Sequence, residues 1–196
     1  MMKLNVREIT VYGMLGALMY VSKIVMEVLP NVHLIGVFTI ALTVVYRSKA
    51  LFPIYIFVFL TGIYAGFAGW WIPYLYVWAV LWGIIMLLPQ NMPPAVRPIV
   101  YMIICGLHGM GYGTLYAPVQ ALMFGFDFQG MVAWIVAGFP WDVVHGIGNL
   151  VCGILIVPII SALRLAERIT HPKYKLHSIQ KNIVTINGIF PLYMCR

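Results

Sequence analysis

The sequence predicts an all-α integral membrane protein, a bundle of six transmembrane helices with both termini on the cytoplasmic side. Three observations carry this. First, 63% of the 196 residues are hydrophobic and 9% are charged, with a mean hydropathy of +0.96. A soluble domain has about 25% charged residues and needs them to cover its surface, so a soluble enzyme, a disordered chain and a nucleic-acid-binding domain are excluded. Second, residues 51–96, 98–126 and 143–163 contain no charge at all, and a crossing needs about 20 apolar residues. Third, the net charge of +7 is not gathered into one patch that would hold a polyanion. The basic residues recur between long apolar runs, as in a chain that crosses a bilayer repeatedly.

Taken in order, the spans fall at 8–29, 32–46, 51–68, 71–88, 98–123 and 139–163. Pro30-Asn31 ends the first, and Arg47-Ser48-Lys49 separates the second, which is short, from the third. Gly66, Gly69 and Trp70-Trp71 mark a tight aromatic turn before the fourth. The run Pro89-Gln90-Asn91-Met92-Pro93-Pro94 cannot continue a helix, because proline lacks the amide donor and clashes with the preceding turn. After Phe126-Asp127-Phe128, residues 129–138 are apolar but short, and they are expected to form an interfacial or re-entrant segment leading into the sixth span.

Orientation follows from the basic loops. Lys3 and Arg7 precede span one, Arg47 and Lys49 follow span two, Arg97 precedes span five, and Arg164, Arg168, Lys173 and Lys175 follow span six. The connections near 30, 69 and 127 hold no Lys or Arg. Six crossings therefore collect every basic loop on one side, which the positive-inside rule makes cytoplasmic. Residues 1–168 form the transmembrane domain, and 169–196 are expected to be a disordered cytoplasmic tail. Cys105, Cys152 and Cys195 make neither a disulfide framework nor a zinc pattern and are expected to be inert.

The polar and aromatic residues of the outer half are the candidates for function. Lys23 and Glu27 are four apart near the outer end of span one, where they can pair or Lys23 can reach the interface. Trp71, Tyr74 and Trp78 make one aromatic stripe on span four, as either an interfacial belt or the lining of a ligand cavity. On span five, His108, Tyr112, Tyr116 and Gln120 recur every four residues, on a face that belongs against protein or a cavity rather than lipid. Gly106, Gly109, Gly111 and Gly113 give that helix small packing surfaces. On span six, Asp142, His145 and Asn149 share a face, and a carboxylate at that depth must be paired or serve a site. Internal bracing remains the alternative for both polar stripes. Polarity confined to the outer halves suits a cup open to the outside, whereas a pore needs polar lining along its whole length.

Local segments add a resemblance. Six short-looped helices, the small-residue start Thr10-Val11-Tyr12-Gly13-Met14-Leu15-Gly16-Ala17-Leu18, the segment Trp70-Trp71-Ile72-Pro73-Tyr74-Leu75-Tyr76-Val77-Trp78, and the segment from Gly138 through Phe139-Pro140-Trp141-Asp142 to Asn149 resemble the substrate-binding S components of energy-coupling-factor (ECF) transporters. These are vitamin importers of bacteria and archaea, and the last two segments look like a subgroup that includes a cobalamin-binding member. The resemblance covers residues 5–168. It implies a multi-pass protein of the prokaryotic cell membrane that captures a vitamin-like small molecule outside and has no catalytic residue, cofactor or metal of its own. It also implies partners, a transmembrane coupling subunit and two ATPases, with docking through Gly13, Gly16 and Ala17, where the family more often has Ala. The substrate-binding residues expected from the outer-half stripes are Trp71, Tyr74, Trp78, His108, Tyr112, Tyr116, Asp142, His145 and Asn149. In keeping with this, no Gly-x-x-x-x-Gly-Lys-Ser/Thr phosphate loop occurs in the sequence.

Few fixed charges and many aromatic faces favour a large, nearly neutral ligand. Cobalamin fits by resemblance, and a queuosine precursor or another heterocyclic vitamin stays open. The rival reading from another class is an intramembrane metal-dependent hydrolase using His108, Asp142 and His145, since three ligands suffice for zinc. No His-Glu-x-x-His or Gly-x-Ser-x-Gly signature accompanies it. A purely structural membrane protein is the third reading.

Overall fold

The computed structural model describes residues 4–29 and 32–170. Lys3, the Pro30-Asn31 boundary and the tail beyond Thr170, with Cys195, lie outside the described residues. Among the described residues all regular structure is helical. Five stretches are long and apolar enough to cross a membrane: Val6–Met26, Ile35–Ala65, Gly69–Leu87, Val96–Phe124 and Phe128–Ile169. Large apolar side chains face outward, Val6, Leu87 and Leu122 each more than 80% exposed, while His108, Asp142, His145 and Asn149 are buried. That inside-out distribution suits a bundle surrounded by lipid and is what a multi-pass membrane protein requires. Backbone contacts group residues 1–160 as one compact unit and 161–196 as another, of which the helical run 161–170 is described.

The first helix, α1 (Val6–Met26), starts at a capping box. The Asn5 carboxamide oxygen accepts the Glu8 N–H at 2.8 Å, and a Glu8 carboxylate oxygen accepts the Asn5 N–H at 3.1 Å. The second, α2 (Ile35–Tyr46), stops at Arg47, whose positive φ of 53° breaks the helix before a short 3₁₀ turn over Arg47–Ala50. The third is α3 (Leu51–Ala65), ended by Gly66 at φ 88°. Ring contacts give the directions. Tyr12 on α1 packs against both Tyr46 at the end of α2 and Phe52 at the start of α3, whereas Tyr20 packs against Tyr64. So α1 and α3 run parallel and pack on each other, while α2 ends beside the start of both and packs mainly against α4. The apolar stretch from 35 to 65 is thus two helices joined by a reversal, as the basic triplet at 47–49 led one to expect.

The chain turns through a 3₁₀ segment, Gly69–Trp71, into α4 (Tyr74–Leu87). This helix returns to the end where α2 stopped: the Arg47 guanidinium donates to the Met86 carbonyl at 3.0 Å, and the Trp82 indole donates to the Arg47 carbonyl at 3.1 Å. Lys49 pairs with Glu8 at the same end. After the proline-rich connection come α5 (Val96–Met110) and α6 (Tyr112–Phe124), separated at Gly111. The last helices of the bundle are α7 (Phe128–Cys152) and, after a 3₁₀ turn at Gly153–Leu155, α8 (Ile156–Thr170).

Two span expectations are revised. Span five is not one helix but the pair α5 and α6. The residues 129–138, expected as an interfacial segment, are instead the opening turns of α7, which Asp127 caps by accepting the Gly130 N–H at 2.7 Å. The helix then continues through Pro140. Glycines let α5 and α7 lie against each other: a Cβ on Gly146 would sit 3.0 Å from the Gly106 carbonyl oxygen, and one on Gly109 3.0 Å from the His145 carbonyl oxygen.

Candidate functional site

The site is built in three layers, one helical turn apart, where α2, α4, α5, α6 and α7 meet. The outer layer is aromatic. Trp70 lies edge-on to Tyr74 at 5.7 Å, and Tyr74 lies edge-on to Tyr116 at 6.4 Å. The Tyr116 hydroxyl donates to the Trp70 carbonyl at 2.9 Å, tying α6 to the turn before α4. Tyr112 stacks on Tyr116 at 4.9 Å and leads inward.

The middle layer centres on Trp78, which is 1% exposed. Its ring meets Phe57 at 6.0 Å, His108 at 5.7 Å, Tyr112 at 6.0 Å and His33 at 6.0 Å. His145 closes the ring of side chains, 4.7 Å from His33 and 5.0 Å from Tyr112 between centroids. The His108 Nε2 lies 3.1 Å from the Val77 carbonyl oxygen. A carbonyl only accepts, so that nitrogen carries the proton, and in the neutral ring Nδ1 is a bare acceptor. The inner layer is Asn149, fully buried, in space made by two glycines: a Cβ on Gly109 would lie 2.8 Å from its amide nitrogen and one on Gly36 3.6 Å.

What distinguishes this cluster is its unpaired polarity. Eight buried side-chain nitrogen or oxygen atoms have no hydrogen-bond partner among the described residues. Six of the eight are here: His33 Nδ1, Trp78 Nε1, His108 Nδ1, His145 Nε2 and both polar atoms of the Asn149 amide. Native folds hold few such atoms, because each costs about 1–3 kcal/mol. Here six of them are concentrated on one spot.

Compared with known proteins, the chain matches no family model, no curated protein and no solved structure.

The nine substrate-site candidates therefore divide by position. Tyr74, Trp78, His108, Tyr112, Tyr116, His145 and Asn149 converge in the layers above. Trp71 does not: its indole donates to the Val58 carbonyl at 2.9 Å and its ring packs on Phe67 at 4.9 Å, on the α3 side of the turn. Trp70 takes the place the spacing gave to Trp71. Asp142 sits one turn outward of His145, with both carboxylate oxygens accepting the Gly113 N–H, at 3.1 and 3.2 Å. That bond clamps the first turn of α6 onto α7 just after the break at Gly111. Lys23 pairs with Glu27 at 2.7 Å. Among the described residues, no three His, Cys, Asp or Glu side chains converge as a metal site, so His108, Asp142 and His145 do not form one.

His33 is the member that sequence reasoning missed. It falls at the start of the expected span 32–46 but outside any polar stripe; the structure places it in the connection before α2, and only the packing of that connection against Trp78 reveals it. The docking candidates also divide. Gly16 is buried against α3, where a Cβ would lie 2.6 Å from Ile56 Cγ2, whereas Gly13 has open space around it and Ala17 is exposed.

Proposed function

We propose that this chain is the substrate-capture subunit of an ECF-type importer in a prokaryotic cell membrane. It makes six crossings with both termini in the cytoplasm and binds a heterocyclic vitamin or cofactor precursor in a cup that opens outward. It hydrolyses nothing itself, and a separate coupling subunit with two ATPases supplies the energy. One observation carries the reading: six unpaired polar atoms, gathered inside an aromatic sleeve, are what a binding site presents before its ligand arrives. A brace would have satisfied them internally.

Two further features support it. The reversal at 47–50 divides the stretch Ile35–Ala65 into two helices, which supports a count of six crossings over five, and six crossings would put Arg47, Lys49 and Arg97 on one side together with Arg7. Gly13, half-buried with open space where a Cβ would stand, and the exposed Ala17 leave α1 a surface on which another helix can lie closely. The testing experiment is mass spectrometry of small molecules released from the detergent-purified protein. A heterocyclic compound released in near-stoichiometric amount is the expected result. A chain that folds, releases nothing and shifts its melting temperature with no extract of small molecules contradicts the reading.

A further inference from the structure

The unpaired atoms specify more than a ligand; their donor and acceptor roles specify which edge it must present. We propose that the floor of this site recognises an uncharged flat ring bearing a lactam edge, an N–H beside a C=O. This rests on the capture reading above and narrows it to one ligand chemistry.

Each atom contributes one requirement. Trp78 Nε1 can only donate, so it requires a ligand acceptor. His108 already donates from Nε2 to the Val77 carbonyl, so its unpaired Nδ1 requires a ligand donor. The Asn149 amide has both its oxygen and its nitrogen unpaired, and one planar group satisfies both when it offers a donor next to an acceptor. That pair is a lactam. The Tyr112 and His145 rings, edge-on to each other at 5.0 Å between centroids, supply an aromatic wall beside these atoms.

Charge sets the remaining condition. None of these side chains is Lys, Arg, Asp or Glu, and the nearest carboxylate, Asp142, is already bonded to the Gly113 N–H. An ionised ligand would lose its hydration here with no counter-charge to meet it. A phosphate- or carboxylate-headed ligand is therefore disfavoured at the floor, whatever substituents extend toward the outer layer.

The test uses the full chain in detergent and two probes with the same bicyclic ring. Lumazine carries the N–H and C=O edge, and dimethyllumazine has both N–H groups blocked by methyls. Quenching of tryptophan fluorescence should show lumazine binding at least about tenfold more tightly, the order expected when buried polar partners are left unmet. Asn149→Leu should abolish that preference while its melting temperature stays at or above that of the unaltered chain, because an unpaired amide gives way to an apolar group of similar shape. If Asn149→Leu does not fold, Trp78→Phe serves in its place, deleting one donor and keeping a ring. Equal binding of both probes, or a preference that survives in these variants, overturns the lactam assignment and leaves the capture reading standing. Failure of both probes to bind overturns the lactam assignment as well, while a released native ligand of another chemistry would keep capture intact.

Discussion

Asp142, His145 and Asn149 share one face of α7, yet their polar atoms are used differently. The Asp142 carboxylate is engaged by the Gly113 N–H, whereas His145 Nε2 and the Asn149 amide are engaged by nothing among the described residues. Removing the first therefore unclamps α6, and removing the others takes away groups the fold does not use. Asp142→Ala is expected to cost about 1–3 kcal/mol of stability, read as a lower melting temperature in detergent. Gly113→Ala should do the same from the other side, because a Cβ there would lie 2.3 Å from an Asp142 oxygen. His145→Leu should leave the melting temperature within the range of the unaltered protein and weaken ligand binding. Spacing alone placed these residues on one face correctly. It could not separate a brace from a site, since that depends on whether a backbone N–H on another helix stands opposite. His33 was illegible for a related reason: periodicity reads helices, and this histidine belongs to the connection before one.

At the scale of elements, α1 offers the cleanest contrast. Gly13 and Gly16 lie three apart and were grouped as one small-residue face, but the helix turns them to different neighbours. A bulky side chain at Gly16 would strike Ile56 and the Pro53 carbonyl, 2.7 Å and 2.9 Å from a Cβ at that position, while one at Gly13 meets nothing within 4 Å. Gly16→Trp should therefore reduce the yield of folded protein. Gly13→Trp should purify normally, bind ligand normally, and lose co-purification with a co-expressed coupling subunit. Normal co-purification of Gly13→Trp would remove Gly13 from the docking face. The helix boundaries teach a similar lesson. The sixth span was placed at 139–163, yet α7 begins eleven residues earlier, at Phe128, and passes through Pro140. A proline's lost hydrogen bond is tolerated where neighbouring helices support the backbone. The break at Gly111 went unread because α5 and α6 continue in nearly the same sequence pattern, with His108 and Tyr112 still within 6.5 Å of each other.

For the bundle as a whole, composition and the apolar runs made the all-helical, multi-pass architecture legible. Both are set by the solvent: lipid demands apolar outer faces and satisfied backbone, which here means helices. What the solvent does not dictate is which helices cross closest to which, so the gathering of unpaired atoms from the connection before α2 and from α4, α5 and α7 emerged only from packing. Orientation can be checked independently of any ligand. In a cysteine-free background, single cysteines at Ala68 and Gln129, both exposed, should react with an impermeant thiol reagent added to whole cells, and one at Asn91 should not. The reverse pattern would put the aromatic end inside.

The proposed outward opening and the proposed ligand capture both make a demand on Tyr116, in the aromatic layer of the site. The most direct measurement is therefore labelling of Tyr116→Cys, in the cysteine-free background, by the same reagent in whole cells and in inverted vesicles. Labelling from outside, slowed when the small molecules released from the purified protein are added back, is the expected result. Labelling only from the cytoplasmic face, or outside labelling that no released molecule slows, would contradict an outward-facing binding cup.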